Sequence, residues 1–242
     1  SEGTQPIVKI GELTGNFSIS DFETTQLPLN NYFQDTFSDT IFSQSLWPLL
    51  ETNGLTNKIS GGKFIVLGTL SSVDERWHDV NDNSILSTHS NWIVEGSAFS
   101  QITSQSSLNY QAAVGVDIEK NDGSEEVEIS IGLFPSGIMS EVYTSARPGR
   151  NSQHKSTIRE FAKDGTFRVF NNATSKVITS QYLKDGKWTT IYNLNWETGL
   201  LTEKNSESQS DQAHQFTNWS SFANASASPM MDYSIPHIDN CN

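Results

Sequence analysis

Three consecutive segments between residues 91 and 134 carry the pattern that most constrains the fold. Over residues 126–133, apolar and polar side chains alternate without a break, which places one set on each face of a β-strand. Residues 110–119 alternate in the same way, and residues 120–124 between them contain an Asp-Gly turn signal. We therefore predict a β-hairpin with one apolar face and one acid-rich polar face. The predicted apolar face comprises Ala112, Val114, Val116, Ile118, Val127, Ile129, Ile131 and Leu133.

The rest of the chain repeats short apolar segments between turn signals. After residue 156 they recur at roughly 8–12-residue spacing, a spacing typical of all-β sandwiches. We predict an all-β fold, a two-sheet antiparallel jelly-roll β-sandwich. Residues 1–30 are expected to form an N-terminal arm or edge strand, residues 31–205 the sandwich domain, and residues 206–242 a polar C-terminal extension that packs partly on the domain. Residues 72–90 are expected to form a long polar loop.

Composition limits the partners. The chain has 15 basic and 28 acidic residues and a net charge of −13, so it repels nucleic acid. It contains no run of the roughly 18 apolar residues that a membrane helix requires. Its single cysteine, Cys241, excludes an internal disulfide. Solubility depends on Ser, Thr and Asn more than on charge, which favours a secreted or cell-surface location, and no oligomeric state follows from the sequence.

The order of the predicted strands resembles that of a known superfamily. Residues 97–99 lead into the strand at 112–118, and further strands follow at 156–170 and 186–195. Over about residues 60–200 this layout resembles the concanavalin A-like lectin/glucanase superfamily, which includes laminin-G-like domains. The resemblance implies a jelly roll that binds carbohydrate. It does not extend to the catalytic motifs of the superfamily's glucanases or alginate lyases.

The acid-rich face of the hairpin is the first candidate site. Glu126 and Glu128 have the same parity on one predicted strand as Asp117 and Glu119 on the other. Glycoside hydrolases place two carboxyl groups on either side of the scissile bond, and antiparallel neighbours can supply them. A solvated acidic face beside a hairpin tip is the alternative interpretation.

A basic segment follows the hairpin and is the second candidate. A uronate lyase requires a cation to neutralise the sugar carboxylate and a Tyr or His to move a proton. We assign the catalytic roles to Tyr143, His154 and Arg159, and ligand binding to Arg147 and Arg150. The alternative is a solvated basic loop that pairs with the acidic hairpin.

The remaining candidates concern metal and aromatic groups. Asp79, Asn81 and Asn83 alternate in a polar segment, which suits a structural Ca²⁺ ion or a plain turn. No cofactor is required, and none of the five histidines has the spacing of a transition-metal site. Trp92, Tyr110, Gln111 and Asp117 are candidate ligand-binding residues, although most aromatic residues of this kind belong to a core.

These observations favour extracellular recognition of a polysaccharide or other glycan. A polysaccharide-degrading enzyme, either a uronate lyase or a glycoside hydrolase that uses the same groove, is the alternative. A structural or adhesive surface protein is the second alternative.

Overall fold

A computed structural model of the protein describes residues 8–13, 29–35, 37, 49–53, 56–67, 76–81, 86–99, 112–145, 152–205 and 210–235. This part of the chain contains eighteen β-strands and no helix. The strands are β1 (Val8–Leu13), β2 (Leu29–Asp35), β3 (Leu49–Asn53), β4 (Thr56–Ile59), β5 (Phe64–Leu67), β6 (Arg76–Asn81), β7 (Leu86–Ser87), β8 (Asn91–Phe99), β9 (Ala112–Lys120), β10 (Glu126–Phe134), β11 (Gly137–Ser145), β12 (Gln153–Ile158), β13 (Asp164–Asn172), β14 (Val177–Lys184), β15 (Lys187–Asn195), β16 (Leu200–Glu203), β17 (Gln212–Gln215) and β18 (Ala225–Ile235).

The strands form two large antiparallel sheets. Sheet A has the order β17-β16-β15-β14-β13-β8-β1-β2. Sheet B has the order β12-β11-β10-β9-β18-β6-β3, and β7 pairs with β18 beside it. Strands β4 and β5 form a separate hairpin. The two sheets pack face to face, so the predicted all-β, two-sheet antiparallel sandwich is confirmed.

The core lies between the sheets. All eight side chains predicted for the apolar face of the central hairpin are buried, and each is at most 8% exposed. Sheet A contributes residues of the same kind to the core cluster, including Val94, Phe167, Val169, Ile178 and Leu194. Burial of each large apolar side chain stabilises the fold by roughly 1.5–3 kcal/mol relative to its exposure. The period-two alternation in the sequence therefore fixes which face of each strand points inward.

The turn of the central hairpin forms as its Asp-Gly signal predicts. The Asp122 carboxylate accepts a hydrogen bond from the Ser124 amide at 2.9 Å. Hydrogen bonding to the Ser124 side chain, and then to this amide, lowers the pKa of Asp122. Gly123 has a φ of 63°, a left-handed conformation that suits glycine. Its amide donates to the Lys120 carbonyl at 2.7 Å. The turn therefore brings the first residues of β10 directly beside the last residues of β9.

The sequence did not predict strands β6, β7 and β18 of sheet B. Residues 76–81 and 86–87 form β6 and β7, so residues 72–90 are not a single loop. Residues 225–235 form β18, which lies between β9 and β6 in the interior of sheet B. Pro229 has no amide hydrogen to donate. It pairs with Val116 of β9 on one side, and on the other side it lies between the residues that pair with β7 and those that pair with β6. The proline therefore costs no described hydrogen bond on the side of β6 and β7.

A buried polar network fixes the turn after β7. The Asn171 side-chain amide donates to the carbonyls of Thr88 at 3.0 Å and Ser90 at 2.7 Å. Its oxygen accepts from the Trp196 indole at 3.0 Å. The Thr88 hydroxyl donates to the Phe222 carbonyl at 3.0 Å. The network links β13, the turn after β15 and the segment before β18.

Candidate functional site

The polar face of the central hairpin is the outer face of sheet B, the face turned away from sheet A. In the strand register Glu126 lies opposite Glu119, and Glu128 lies opposite Asp117. Side chains at such directly opposed positions have Cβ atoms roughly 4.5–5.5 Å apart. Glu126 and Glu128 are two residues apart on one strand and therefore about 6.7 Å apart along it. The predicted acid-rich face is formed as the sequence indicates.

Two more predicted site residues extend this face. Tyr143 of β11 lies opposite Glu128 and also opposite His154 of β12. The rings of Tyr143 and His154 lie edge to face with centroids 6.3 Å apart, and Tyr143 is 40% exposed. His154 Nε2 is 3.0 Å from a carboxylate oxygen of Glu141. The outer face thus combines carboxylates with one tyrosine and one histidine.

Arg159 lies on the opposite side of the sheet from these residues. Its Nη1 donates to a Glu203 carboxylate oxygen at 3.1 Å, and its Nη2 donates to the Lys204 carbonyl at 2.6 Å. Both partners lie at the end of sheet A, and the Arg159 side chain is only 13% exposed. Alternate residues of a strand point to opposite faces, which separates Arg159 from Tyr143 and His154. The grouping predicted for a lyase is therefore not assembled by these three residues.

Beside Arg159, Tyr192 of sheet A lies within hydrogen-bond distance of sheet B. Tyr192 of β15 is 1% exposed, and its hydroxyl lies 2.6 Å from the Thr157 hydroxyl of β12. Burial raises the pKa of Tyr192 to about 12, although the hydrogen bond to Thr157 acts in the other direction. Arg159 and Thr157 therefore join the edge of sheet B to sheet A and have a structural role.

The structure also gives the positions of the other predicted residues. Trp92 is fully buried in the core and donates its indole hydrogen to the Ser87 carbonyl at 3.1 Å, so its ring lies between the sheets and not on the outer face. Asp79 and Asn81 lie in strand β6. The described residues contain no group of three or more His, Cys, Asp or Glu side chains placed to hold a metal ion. Tyr110, Gln111, Asn83, Arg147 and Arg150 lie outside the described residues.

A pocket adjoins the outer face at one end of sheet B. It lies where β10 begins, β11 ends and β12 begins, and the segment 216–222 between β17 and β18 forms its other wall. Its volume is about 190 Å³. Its lining consists of Glu125, Glu126, Thr144, Ser145, Gln153, Thr217, Asn218, Trp219, Ser220 and Phe222. Glu126 therefore belongs to both the pocket and the outer face.

One glutamine holds the far wall in place. Gln153 donates from Nε2 to the Thr217 carbonyl at 2.9 Å. Its Oε1 accepts from the Thr217 amide at 2.9 Å and from the Thr217 hydroxyl at 3.0 Å. Three hydrogen bonds between two residues make this wall rigid compared with an unpinned surface turn.

Neighbouring residues outside the pocket hold the Trp219 ring in position. Trp219 is half-buried, stacks on Phe216 with ring centroids 5.6 Å apart, and donates its indole hydrogen to the Trp196 carbonyl at 3.2 Å. A Cβ atom at Gly199 would lie 2.3 Å from the Trp219 ring, so only glycine leaves room for this ring position. The ring is therefore fixed before any ligand arrives.

The two carboxylates of the pocket have different partners. Glu125 forms an ion pair of 2.5 Å with Lys120 and accepts a hydrogen bond from the Ser220 hydroxyl. The Lys120 ammonium also lies 5.0 Å from the centroid of the Phe222 ring. Glu126 accepts a 3.4 Å hydrogen bond from the Ser145 hydroxyl, and no cation among the described residues pairs with it. The lining therefore presents one carboxylate without a cationic partner.

Sequence reasoning identified Glu126 but not the rest of this pocket. The extension at residues 206–242 was expected to pack partly on the domain; within it Phe222 belongs to the core cluster and Trp219 packs against that cluster. The cue to their further role was two large aromatic residues, together with Phe216, inside an otherwise polar tail. No local pattern, however, indicates that this segment meets the ends of β10, β11 and β12, because the contact joins residues far apart in the chain.

No model of a known protein family matches the chain, and the curated proteins contain no significant match to it. Within the described residues, no helix is long and apolar enough to cross a membrane.

Proposed function

We propose that the protein binds a saccharide, with one sugar ring in the pocket between the end of sheet B and the segment 216–222. The observation that carries this proposal is the pairing of the fixed Trp219 ring with hydroxyl, amide and carboxylate groups in one cavity. A sugar ring has an apolar C–H face and a polar rim, and the pocket offers partners to both. The cavity of about 190 Å³ is smaller than the roughly 300–1,000 Å³ of drug-sized sites, which suits a single ring.

The outer face of sheet B extends this site. Glu126 belongs to the pocket, and Glu128, Tyr143 and His154 continue from it across three strands. A longer glycan would place one ring in the pocket and further rings over this face. A polysaccharide ligand also accords with the secreted or cell-surface location expected from the composition.

Binding is tested with a panel of insoluble and soluble glycans that are neutral, uronate-containing or amino-substituted. Retention and titration should identify at least one ligand. Trp219→Ala should then weaken binding about two- to tenfold, since aromatic contacts contribute roughly 0.5–1.5 kcal/mol. Trp188→Ala is the matched control, because Trp188 lies in sheet A, 3.9 Å from the Arg168 guanidinium and outside the pocket. If no glycan binds, the proposal is rejected and a structural or adhesive role is favoured.

Glycoside hydrolysis is a second candidate. The Cα atoms of Glu126 and Glu128 are about 6.7 Å apart along β10, so their two carboxyl groups can reach the separation of roughly 6.5–9.5 Å that inverting glycosidases use. If this candidate is correct, bound glycans will release new reducing ends, and Glu128→Gln will stop the release while binding persists. The uronate lyase alternative predicts an unsaturated uronate product instead, and it has less support because Arg159 faces sheet A.

A further inference from the structure

We propose that the pocket selects a sugar carrying a protonated amine, in preference to a neutral or a uronate sugar. This inference rests on the proposed saccharide function and specifies the class of ligand. It depends on three properties of the pocket: an available carboxylate, an aromatic face, and the absence of an available cation among the described residues.

The available carboxylate is that of Glu126. Its described contact is the 3.4 Å hydrogen bond from Ser145, which leaves most of its acceptor capacity open to the pocket. An ammonium group is the donor that such a carboxylate binds most strongly, because both partners are ionised. A neutral hydroxyl in the same place would form the weaker kind of hydrogen bond.

The Trp219 ring favours the same charge. Tryptophan has the strongest cation-binding face of the aromatic side chains, and a cation within about 6 Å of its centroid is attracted. The described residues already contain this arrangement four times, for example where Lys120 lies 5.0 Å from the Phe222 centroid and Arg168 lies 3.9 Å from the Trp188 centroid. Trp219 and Glu126 line the same cavity, so a ring substituent with positive charge that binds there lies near both the indole and the carboxylate.

The pocket offers an anion no comparable partner. The described residues that line it include no lysine, arginine or histidine. Lys120 is the cation beside it, and its ammonium is already held by Glu125 and by Ser220. A uronate carboxylate or a sulfate would lie near Glu126 in a chain with a net charge of −13. The negative charge of such a group and that of the Glu126 carboxylate would repel each other, so binding of acidic glycans is disfavoured.

The test compares three oligosaccharides of equal length: fully deacetylated chitosan oligomers, their N-acetylated counterparts, and uronate oligomers. Titrations are made at about pH 6, where an amine is protonated. The deacetylated oligomer should bind roughly ten- to a hundredfold more tightly than the acetylated one, the range expected for a charged hydrogen bond. The preference should decrease as salt is raised, because part of it is screened.

Glu126→Gln should remove this preference and lower affinity for the deacetylated oligomer roughly ten- to a hundredfold. An unchanged far-UV circular dichroism spectrum and an unchanged urea midpoint show that the variant is folded. Glu119→Gln is the matched control. Glu119 lies opposite Glu126 and carries the same charge, but it does not line the pocket, so its variant should keep the preference.

The possible results distinguish the amine preference from saccharide binding itself. If acetylated or uronate oligomers bind as tightly as the amine form, the amine preference is wrong and saccharide binding stands. A preference that survives in Glu126→Gln also overturns the inference, since the carboxylate is then not its source. If spermidine competes as well as the deacetylated oligomer, the pocket binds amines regardless of the sugar, and saccharide recognition is rejected together with the inference. If no oligomer binds at all, both are rejected.

Discussion

Replacement of Asn171 by alanine perturbs the polar network that joins β13 to the turn after β7 and to the turn after β15. Asn171 is fully buried and its side chain makes three hydrogen bonds, to the carbonyls of Thr88 and Ser90 and from the Trp196 indole. Alanine removes the amide and leaves these partners in place. The Thr88 and Trp196 side chains are themselves at most 3% exposed, so water does not readily reach them.

The expected cost follows from the unpaired groups. Each buried polar group that loses its partner costs roughly 1–3 kcal/mol. Two of the three partners are deeply buried and the Ser90 carbonyl is partly buried. We therefore expect Asn171→Ala to lower the free energy of unfolding by about 3–5 kcal/mol.

Asn195→Ala is the matched control. The Asn195 side-chain oxygen accepts hydrogen bonds from the amides of Glu197 and Thr198, each at 3.0 Å, in an exposed turn. Water can replace that oxygen, so the variant should lose about 1 kcal/mol or less. Urea unfolding followed by tryptophan fluorescence measures both variants, with the slope of the transition checked for constancy.

A double variant tests whether the unpaired Trp196 indole causes part of the stability lost in Asn171→Ala. Trp196→Phe removes the indole donor that Asn171→Ala would leave unpaired. The two substitutions together should therefore destabilise by about 1–2 kcal/mol less than the sum of the single effects. The reasoning is refuted if Asn171→Ala comes within about 1 kcal/mol of Asn195→Ala, or if the two substitutions are strictly additive.

Three further predictions concern the sheets and their edge. Gly132→Ala should destabilise the protein by more than about 3 kcal/mol, because the new Cβ would lie 2.2 Å from the Ala112 carbonyl oxygen. The control is Gly186→Ala, where nothing lies within 4 Å of the new Cβ but φ is 74°, and it should cost only about 1 kcal/mol in the same urea assay. Arg159→Ala should lower stability by about 2 kcal/mol and leave saccharide affinity unchanged, and a loss of affinity would return Arg159 to the site. Burial and a nearby lysine lower the pKa of His214 below 6.5 in the folded state, so its contribution to stability is present above about pH 6.5 and is lost as the pH falls. His214→Gln should therefore reduce the slope of the unfolding free energy against pH in that window. An unchanged slope would contradict the assignment of this pH dependence to His214.

The central hairpin was predictable because its information is local. Alternation over residues 126–133 sets the inward face, and Asp122-Gly123 sets the turn, so both strands and their shared acidic face follow from adjacent residues. Where alternation meets a turn signal, local preference and burial agree.

Strands β6 and β18 were not predictable in this way. Residues 76–81 are Arg-Trp-His-Asp-Val-Asn, with little alternation, and β18 begins with small residues and contains Pro229. These segments are strands because β3, β9 and each other supply their hydrogen-bond partners. The pocket was not predictable for the same reason, since Trp219 and Glu126 line one cavity only after β18 has brought the segment before it against sheet B. Tertiary pairing overrides local propensity in such cases.

The interior position of β18 has a consequence for how the chain reaches its native state. Ala225 pairs with Lys120, and Met230 pairs with Asn81, so the strand that joins the two halves of sheet B is the last described strand to be synthesised. A nascent chain that ends before residue 225 leaves β9 and β6 as two open edges with nothing between them, and unpaired edges invite association with other chains. Closure of sheet B must therefore wait until translation has passed this strand, and the many contacts between distant residues make that step slow. A premature stop within residues 225–235 would divide a sheet, whereas loss of a strand at its rim would only narrow one.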